Sequence, residues 1–317
     1  MGTRNVKDGL NLSLQIDKDC HQHGAVTEEI DGLIKVYKDE HVERPKIVPC
    51  VTSDLPHELG VTSRDIVIAS SAAWSCYHDF LARLAAETSS IIMSVNYRLA
   101  PENPLPEAYD DGIKALMWLK QQALSVGADN WWTSQCNFSN IFLAGDSAGA
   151  NIAYNIITRP GSFNAGQAAA AMKPLSLRGI VLIQPFFGGE ARTNSEKYLV
   201  QSPRSALSLA ASDTFWRLAL PCGSNRDHPW CNPLAKGLDV ELEDLLRFPI
   251  MVCISEMDIL KDRSLEFVAS LDRAGKMVEH VVHKGVGHAF QILSKSQLSQ
   301  TRTLEMMSQI KDFISGI

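Results

Sequence analysis

The chain carries the sequence NIFLAGDSAGANIAYNII at residues 140–157, and this stretch predicts its fold. Residues 140–144 are a short apolar run typical of a buried strand, and residues 150–157 have the pattern of a helix. Between them lies Gly145-Asp146-Ser147-Ala148-Gly149, a Gly-x-Ser-x-Gly turn. A strand, a sharp turn and a helix in this order lift a serine hydroxyl above a sheet as a nucleophile. We expect both glycines to be required, because a Cβ at either position would clash in so tight a turn.

Composition limits the classes of function. The chain has 317 residues, 45% hydrophobic and 21% charged, enough for one large α/β domain or two small ones. Its formal net charge of −6 offers no basic surface for nucleic acid or an anionic membrane, so we expect neither as a partner. The sequence has no run of about eighteen apolar residues, so no membrane span is predicted.

Cysteine usage indicates a compartment. The seven cysteines are scattered, odd in number and include no Cys-x-x-Cys pair, which is typical of free thiols in a reducing environment. Cys222 and Cys231 are close enough in sequence to pair, but we favour free thiols. The polar amino terminus has no apolar signal-peptide core, and we therefore expect a cytoplasmic protein.

Predicted strands and helices alternate along most of the chain, which favours a mostly parallel sheet with flanking helices. We expect residues 1–30 to be a flexible amino-terminal segment or lid, and residues 31–317 to form the α/β domain. Helical pieces over residues 190–245 suggest a cap over the site, and residues 160–174 read as a loop. A hairpin is predicted over residues 33–44, and strands are predicted over 65–68, 91–97, 179–183, 250–254 and 279–283, of which 91–97 is expected to be buried. Helices are predicted over 79–88, 108–124, 264–274 and 297–313. In the helix over 108–124, the residues expected to face the core are Ile113, Leu116, Met117 and Leu119.

Two further polar residues follow predicted strands, where open α/β sheets place their ligands. Asp258 follows the strand over 250–254, and His288 follows the last strand. A neutral serine needs an imidazole to take its proton, and the imidazole needs a carboxylate to fix its tautomer. We therefore predict Ser147 as the nucleophile, His288 as the general base and then acid, and Asp258 as the carboxylate that orients His288.

Other candidates have simpler explanations. Asp262 is the rival acid, but it can instead cap the helix that follows. His283 is assigned to the last strand, and Asp146 to hydrogen bonding near the turn. The nine histidines show no metal-ligand spacing, and the predicted chemistry needs neither a metal nor an organic cofactor.

The chain resembles the plant carboxylesterases of the hormone-sensitive-lipase-like group of α/β hydrolases. The resemblance covers the chain from about residue 30 onward, and rests on VNYRLAPE at 95–102, on the turn at 145–149, on Asp258 with Asp262, and on Gly-His-Ala-Phe at 287–290. It implies the α/β-hydrolase fold, with an amino-terminal and cap lid, and the hydrolysis of small carboxylic esters.

Two other activities occur in the same group. Gibberellin receptors have lost the catalytic histidine, and hydroxyisoflavanone dehydratases have threonine in place of the serine. His288 argues against a receptor, and Ser147 argues against a dehydratase. A serine carboxylesterase is therefore predicted; a non-catalytic small-molecule (hormone-like) binding protein and a dehydratase of flavonoid-type substrates are the alternatives.

The resemblance also implies a His-Gly-Gly-Gly segment whose backbone N–H groups form most of the oxyanion hole, joined by the N–H of Ala148. This sequence lacks that segment, and its one Gly-Gly pair, Gly188-Gly189, lies far downstream. Residues 65–74 join parts that the relatives separate by two strands and the glycine loop. We therefore expect a sheet that lacks one or two strands, and impaired activity.

Three explanations are open for this gap. The chain can be an alternative transcript or gene-model product of an active esterase gene. It can be a diverged member in which residues 66–68 occupy the vacant strand position, with the N–H groups of Ser70 and Ser71 near Ser147. It can also be the binding protein named above.

Two groups of residues have structural interpretations that we prefer. Residues 97–102 are expected to anchor a loop below the site through an arginine–carboxylate contact. Four aromatic residues are expected in the core rather than in a substrate pocket: Phe186, Phe187, Trp216 and Phe290. The sequence specifies neither the substrate nor the oligomeric state.

Overall fold

The computed structural model describes residues 23–30, 32–44, 75–125, 132–159, 170–201, 205–235 and 248–317. The chain divides into two compact units, residues 1–47 and residues 48–317. The domain boundary after residue 30 stays a prediction. The strand predicted over residues 65–68, the two serines at 70 and 71, and residues 160–169 of the predicted loop lie outside the described residues.

The first unit contains a small antiparallel sheet in the order β1-β2-β3, formed by β1 (Val26–Ile30), β2 (Ile34–Tyr37) and β3 (Val42–Glu43). Strands β2 and β3 confirm the predicted hairpin. Strand β1 was not predicted, because its sequence VTEEI is polar and buries only Ile30. Residues 26–30 of the predicted flexible segment therefore have regular structure.

The second unit is built on a parallel sheet in the order β4-β5-β6-β7, which confirms the predicted α/β-hydrolase architecture. Its strands are β4 (Ile141–Asp146), β5 (Leu177–Ile183), β6 (Ile250–Ser255) and β7 (Val278–His283). The helices are α1 (Ser75–Thr88), α2 (Glu107–Leu124), α3 (Ala148–Thr158), α4 (Asn194–Tyr198), α5 (Leu209–Ala219), α6 (Lys261–Arg273), α7 (Phe290–Leu293) and α8 (Gln297–Ser315).

The two inner strands, β5 and β6, are buried on both faces, which explains their continuous apolar runs. Because side chains alternate across a strand, Ile180 and Leu182 of β5 enter one core, together with α2, α3 and α6. Val181 and Ile183 enter the core on the other face, with α1 and α8. Asp146 pairs with Ile183 and Ser255 with His283, while Ile183 pairs with Cys253, so β6 and β7 extend two residues further than β4 and β5. Because the strands are parallel, the loops after them meet at one edge of the sheet.

The predicted buried strand over residues 91–97 is wrong. The structure assigns no strand there, and Ile91 is 49% exposed. An apolar segment becomes a strand only where a neighbour satisfies its backbone N–H and C=O groups. In the described part of the chain, β4 pairs with β5 alone, and residues 91–97 belong to neither of the two sheets.

Two smaller expectations can be compared with the structure. The described thiols of Cys136, Cys222, Cys231 and Cys253 are free, so Cys222 and Cys231 do not pair. Among the residues that the structure covers, no helix combines the length and the apolar character that crossing a membrane requires.

Candidate active site

Ser147 lies at the sharp turn between β4 and α3 with φ +54° and ψ −116°. A residue with a Cβ adopts such a backbone only where the surrounding structure holds it. Here the Ser147 N–H donates to the carbonyl of Ile183 at 2.8 Å, and the Ser147 carbonyl accepts from Ala150 at 3.1 Å. Ser147 is half-buried and directly follows β4, at the edge of the sheet where the loops after the strands meet.

The two glycines of the turn differ. A Cβ at Gly145 would lie 2.1 Å from the carbonyl oxygen of Gly149, so a side chain there is excluded by backbone atoms. A Cβ at Gly149 would meet no heavy atom of the described residues within 4 Å. The sequence-based reason for glycine is therefore right for Gly145 and wrong, within the described residues, for Gly149.

This difference gives a matched pair of variants. We expect Gly145→Ala to lower the free energy of unfolding by about 3 kcal/mol, because rigid backbone must move to accommodate the methyl group. We expect Gly149→Ala to change it by less than about 1 kcal/mol, since alanine is also the better helix former. Urea unfolding followed by circular dichroism measures both, and equal losses would contradict the assignment of the close contact to Gly145.

The structure brings Ser147, His288 and Asp258 together as a hydrogen-bonded series. His288 Nε2 lies 2.9 Å from Ser147 Oγ, and His288 Nδ1 lies 2.7 Å from Asp258 Oδ2. The loops that carry the acid and the histidine are joined by a backbone hydrogen bond from Met257 N–H to the carbonyl of Val286 at 2.9 Å. With Nδ1 held by the carboxylate, Nε2 is the atom that can accept a proton from the serine.

Asp258 is fixed at both oxygens. Its Oδ1 accepts from the backbone N–H of Leu260 at 3.0 Å, while Oδ2 faces His288. The residue is only 2% exposed, so water does not compete for these contacts. The carboxylate can therefore hold a single orientation of the His288 ring.

A second carboxylate acts on the same histidine. Burial alone would lower the pKa of His288, but the charge of Asp258, its hydrogen bond and the charge of Asp146 together hold that pKa above its ordinary value. Burial raises the pKa of Asp146, against the opposing effects of His288, Tyr77 and Gln291. The Tyr77 hydroxyl donates to Asp146 Oδ2 at 2.9 Å. This contact confirms the predicted hydrogen bonding of Asp146 near the turn, whereas the effect of its charge on His288 was not predicted.

The direction of this pKa shift predicts a pH dependence. A general base must be neutral, so activity is expected to fall as the pH drops through the pKa of His288, and the acid limb of kcat/KM should lie above the ordinary histidine value of about 6.5. Asp146→Asn removes a negative charge and should move this limb to lower pH. Asp312→Asn, at an exposed position in α8, is the control. If Asp146→Asn leaves the acid limb at the pH of the parent chain, the charge of Asp146 does not raise the pKa of His288.

Two other polar candidates do not join the series. Asp262 lies in the first turn of α6, where its Oδ2 accepts from the backbone N–H of Ser195 at 2.7 Å. It is not the cap of that helix, whose N-cap position is Leu260. His283 ends β7 and is 2% exposed, as its assignment to the strand predicts.

The four aromatic residues are buried, which favours their interpretation as core. Phe187 and Phe290 lie in the two cores of the sheet. Phe186 stacks on Trp216 with a centroid distance of 4.9 Å, and its N–H donates to the Ser147 carbonyl at 3.1 Å. This pair therefore packs directly beside the turn that holds the serine.

The predicted arginine–carboxylate anchor is confirmed, with its partners on α2. Arg98 donates from Nη2 to Asp111 Oδ1 at 2.8 Å and from Nε to Asp111 Oδ2 at 2.9 Å, and it also pairs with Glu107. Among the described residues, no group of three histidine, cysteine or acidic side chains could hold a metal ion.

Comparison with known proteins identifies the family of this chain. Residues 67–292 match the family model described as the alpha/beta hydrolase fold. The chain is 44% identical over 328 residues to probable carboxylesterase 6 of Arabidopsis thaliana, covering 92% of each chain. It is 36% identical over 213 residues to the gibberellin receptor GID1A of the same plant, covering 66% of this chain and 55% of the receptor. Among solved structures, the Pyrobaculum calidifontis esterase matches with a TM-score of 0.57 and 26% identity, over 75% of this chain and 70% of that one. The chain thus belongs to the α/β-hydrolase family, and within it to the plant carboxylesterases.

Proposed function

We propose that this chain is a serine carboxylesterase that hydrolyses small carboxylic esters, with Ser147, His288 and Asp258 as its catalytic triad. The observation that carries the proposal is the hydrogen-bonded series from Asp258 through His288 to Ser147 Oγ. The similarity to plant carboxylesterases supports the same reaction class.

The proposed reaction has two halves. Ser147 Oγ attacks the acyl carbon while its proton passes to His288 Nε2, and the alcohol leaves with that proton. Water then gives a proton to His288 and attacks the acyl-serine, and the carboxylic acid leaves as the proton returns to Ser147. Asp258 stabilises the imidazolium form in both halves.

Stabilisation of the oxyanion is the weak point of this mechanism. Ala148 begins α3, so its N–H belongs to a helix amino terminus, where backbone donors lack intrahelical acceptors. We propose it as one donor. Each further donor lost with the His-Gly-Gly-Gly segment would cost about 3–4 kcal/mol, or a hundred- to thousandfold in rate. We therefore propose an esterase slower than relatives that carry the segment.

A second candidate function is non-catalytic binding of a small, hormone-like molecule. The similarity to the gibberellin receptor favours it, and so does the lack of the glycine segment. A binding protein needs no serine–histidine series, however, and the 2.9 Å contact between these two residues therefore favours the esterase.

The test is covalent labelling by a fluorophosphonate together with a thermal melt of the same sample. The esterase predicts a cooperative melt, one phosphonate per chain on Ser147, and turnover of p-nitrophenyl acetate. A cooperative melt with neither labelling nor turnover would reject the esterase and favour the binding protein. Labelling at a residue other than Ser147 would reject the assigned nucleophile.

A further inference from the structure

Gln184 occupies the position directly after β5, at the edge of the sheet where the proposed triad lies. It is 1% exposed, and its φ is +48°. For a residue with a Cβ, this backbone is strained and persists only where the surrounding structure holds it. Ser147 and Ala289 also have positive φ, at +54° each, and they account with Gln184 for three of the five such non-glycine residues in the described part of the chain. The strained backbone is therefore concentrated at this site.

The side chain of Gln184 reaches the turn that carries His288. Its Oε1 accepts from the backbone N–H of Ala289 at 2.6 Å. Its Nε2 donates to Ser255 Oγ at 2.7 Å and to Gln291 Oε1 at 3.2 Å. Because a backbone N–H can only donate, the atom that faces Ala289 must be the amide oxygen, which fixes the orientation of the group.

The backbone around Gln184 holds the nucleophile at the same time. The Ile183 carbonyl accepts from Ser147 N–H at 2.8 Å, and the Phe186 N–H donates to the Ser147 carbonyl at 3.1 Å. Gln184 itself donates to the carbonyl of Cys253 at 2.7 Å, which ties the segment to β6. One short segment, residues 183–186, therefore contacts the serine through its backbone and the histidine turn through a side chain.

We propose that Gln184 is a positioning residue that holds the His288 turn against the Ser147 turn and so sets the distance from Nε2 to Oγ. Its kinetic consequence rests on the proposed esterase function, whereas its effect on the His288 ring does not. If Gln184 served packing alone, its replacement would change the stability of the protein without changing the position of the His288 ring.

Three variants separate these roles. Gln184→Met keeps the length of the side chain and removes both polar atoms, and we expect a 10- to 100-fold loss in kcat from the misplaced base, with little change in KM. Gln184→Glu keeps an acceptor for Ala289 and should recover most of kcat, while its charge raises the pKa of His288 and moves the acid limb to higher pH. Gln309→Met is the control, because Gln309 Oε1 has no hydrogen-bond partner among the described residues.

The second measurement is an NMR titration of His288 in protein labelled with ¹⁵N-histidine, with thermal melts of every variant. We expect Gln184→Met to shift the ring resonances of His288, Gln184→Glu to raise its titration midpoint, and Gln309→Met to do neither. If the parent chain neither turns over nor is labelled, the proposed function fails, and the titration still decides the role of Gln184. Unchanged kcat and ring resonances in a folded Gln184→Met would overturn the proposal. If Gln184→Met does not fold, an unmoved titration midpoint in Gln184→Glu would overturn it instead.

Discussion

Ser147→Ala is expected to lower kcat for ester hydrolysis by about 10⁶-fold, to the rate that the rest of the site supports without a nucleophile. Alanine has no Oγ to form the acyl-enzyme, and His288 Nε2 loses the partner that it contacts at 2.9 Å. Alanine and serine tolerate φ +54° about equally, so the melting temperature should change little. Steady-state kinetics with p-nitrophenyl acetate and a thermal melt measure the two quantities.

Ser139→Ala provides the control for this variant. Ser139 is an exposed residue shortly before β4, and its removal should leave both kcat and labelling by a fluorophosphonate unchanged. Turnover in Ser147→Ala close to that of the parent chain would exclude Ser147 as the nucleophile. The hydrogen-bonded series of Ser147, His288 and Asp258 would then not be the site of ester hydrolysis.

Burial explains the composition of two strands that the sequence predicts correctly. Strands β5 and β6 are apolar at nearly every position because each face of the sheet meets a core. Residues 91–97 have the same apolar character but form no strand in the structure. Strand formation there depends on a neighbouring segment, and the composition of residues 91–97 carries no information about that neighbour.

The core face of α2 was predicted only in part, because the prediction considered large apolar residues alone. Large apolar residues indicated Leu116, which is buried, but also Met117, which is 42% exposed. The buried face of α2 also includes small residues, and a Cβ at Gly112 would lie 2.3 Å from Ile156 Cδ1 of α3. Close approach between helices requires small side chains, whereas a search for large apolar residues points to other positions.

The candidate site also contains residues that could be predicted from the sequence and one that could not. Ser147, Asp258 and His288 could be predicted because their residue types carry chemistry and each follows a strand. Gln184 also directly follows a strand, but glutamine is not a nucleophile, acid or base, so its contact with Ala289 was visible only in the structure. All four residues follow a strand, but only the residue types of Ser147, Asp258 and His288 indicate catalysis, and that of Gln184 does not.

Asp258→Asn is expected to lower kcat by about 10⁴-fold while leaving the fold intact. The asparagine keeps the shape of the side chain, but its loss of charge removes the stabilisation of the His288 imidazolium, and the amide no longer holds the required tautomer. Without that charge, the pKa of His288 should fall, and the acid limb of kcat/KM should move to lower pH.

Asp262→Asn tests the rival acid with the same chemical change four residues along the chain. Because an amide oxygen can still accept from the Ser195 N–H, which now lies 2.7 Å from Asp262 Oδ2, we expect kcat and the acid limb of this variant to match those of the parent. Kinetics across pH for both variants decide between the two carboxylates. A larger loss in Asp262→Asn than in Asp258→Asn would transfer the orienting role to Asp262, and would mean that the 2.7 Å contact between Asp258 and His288 is not the one used in catalysis.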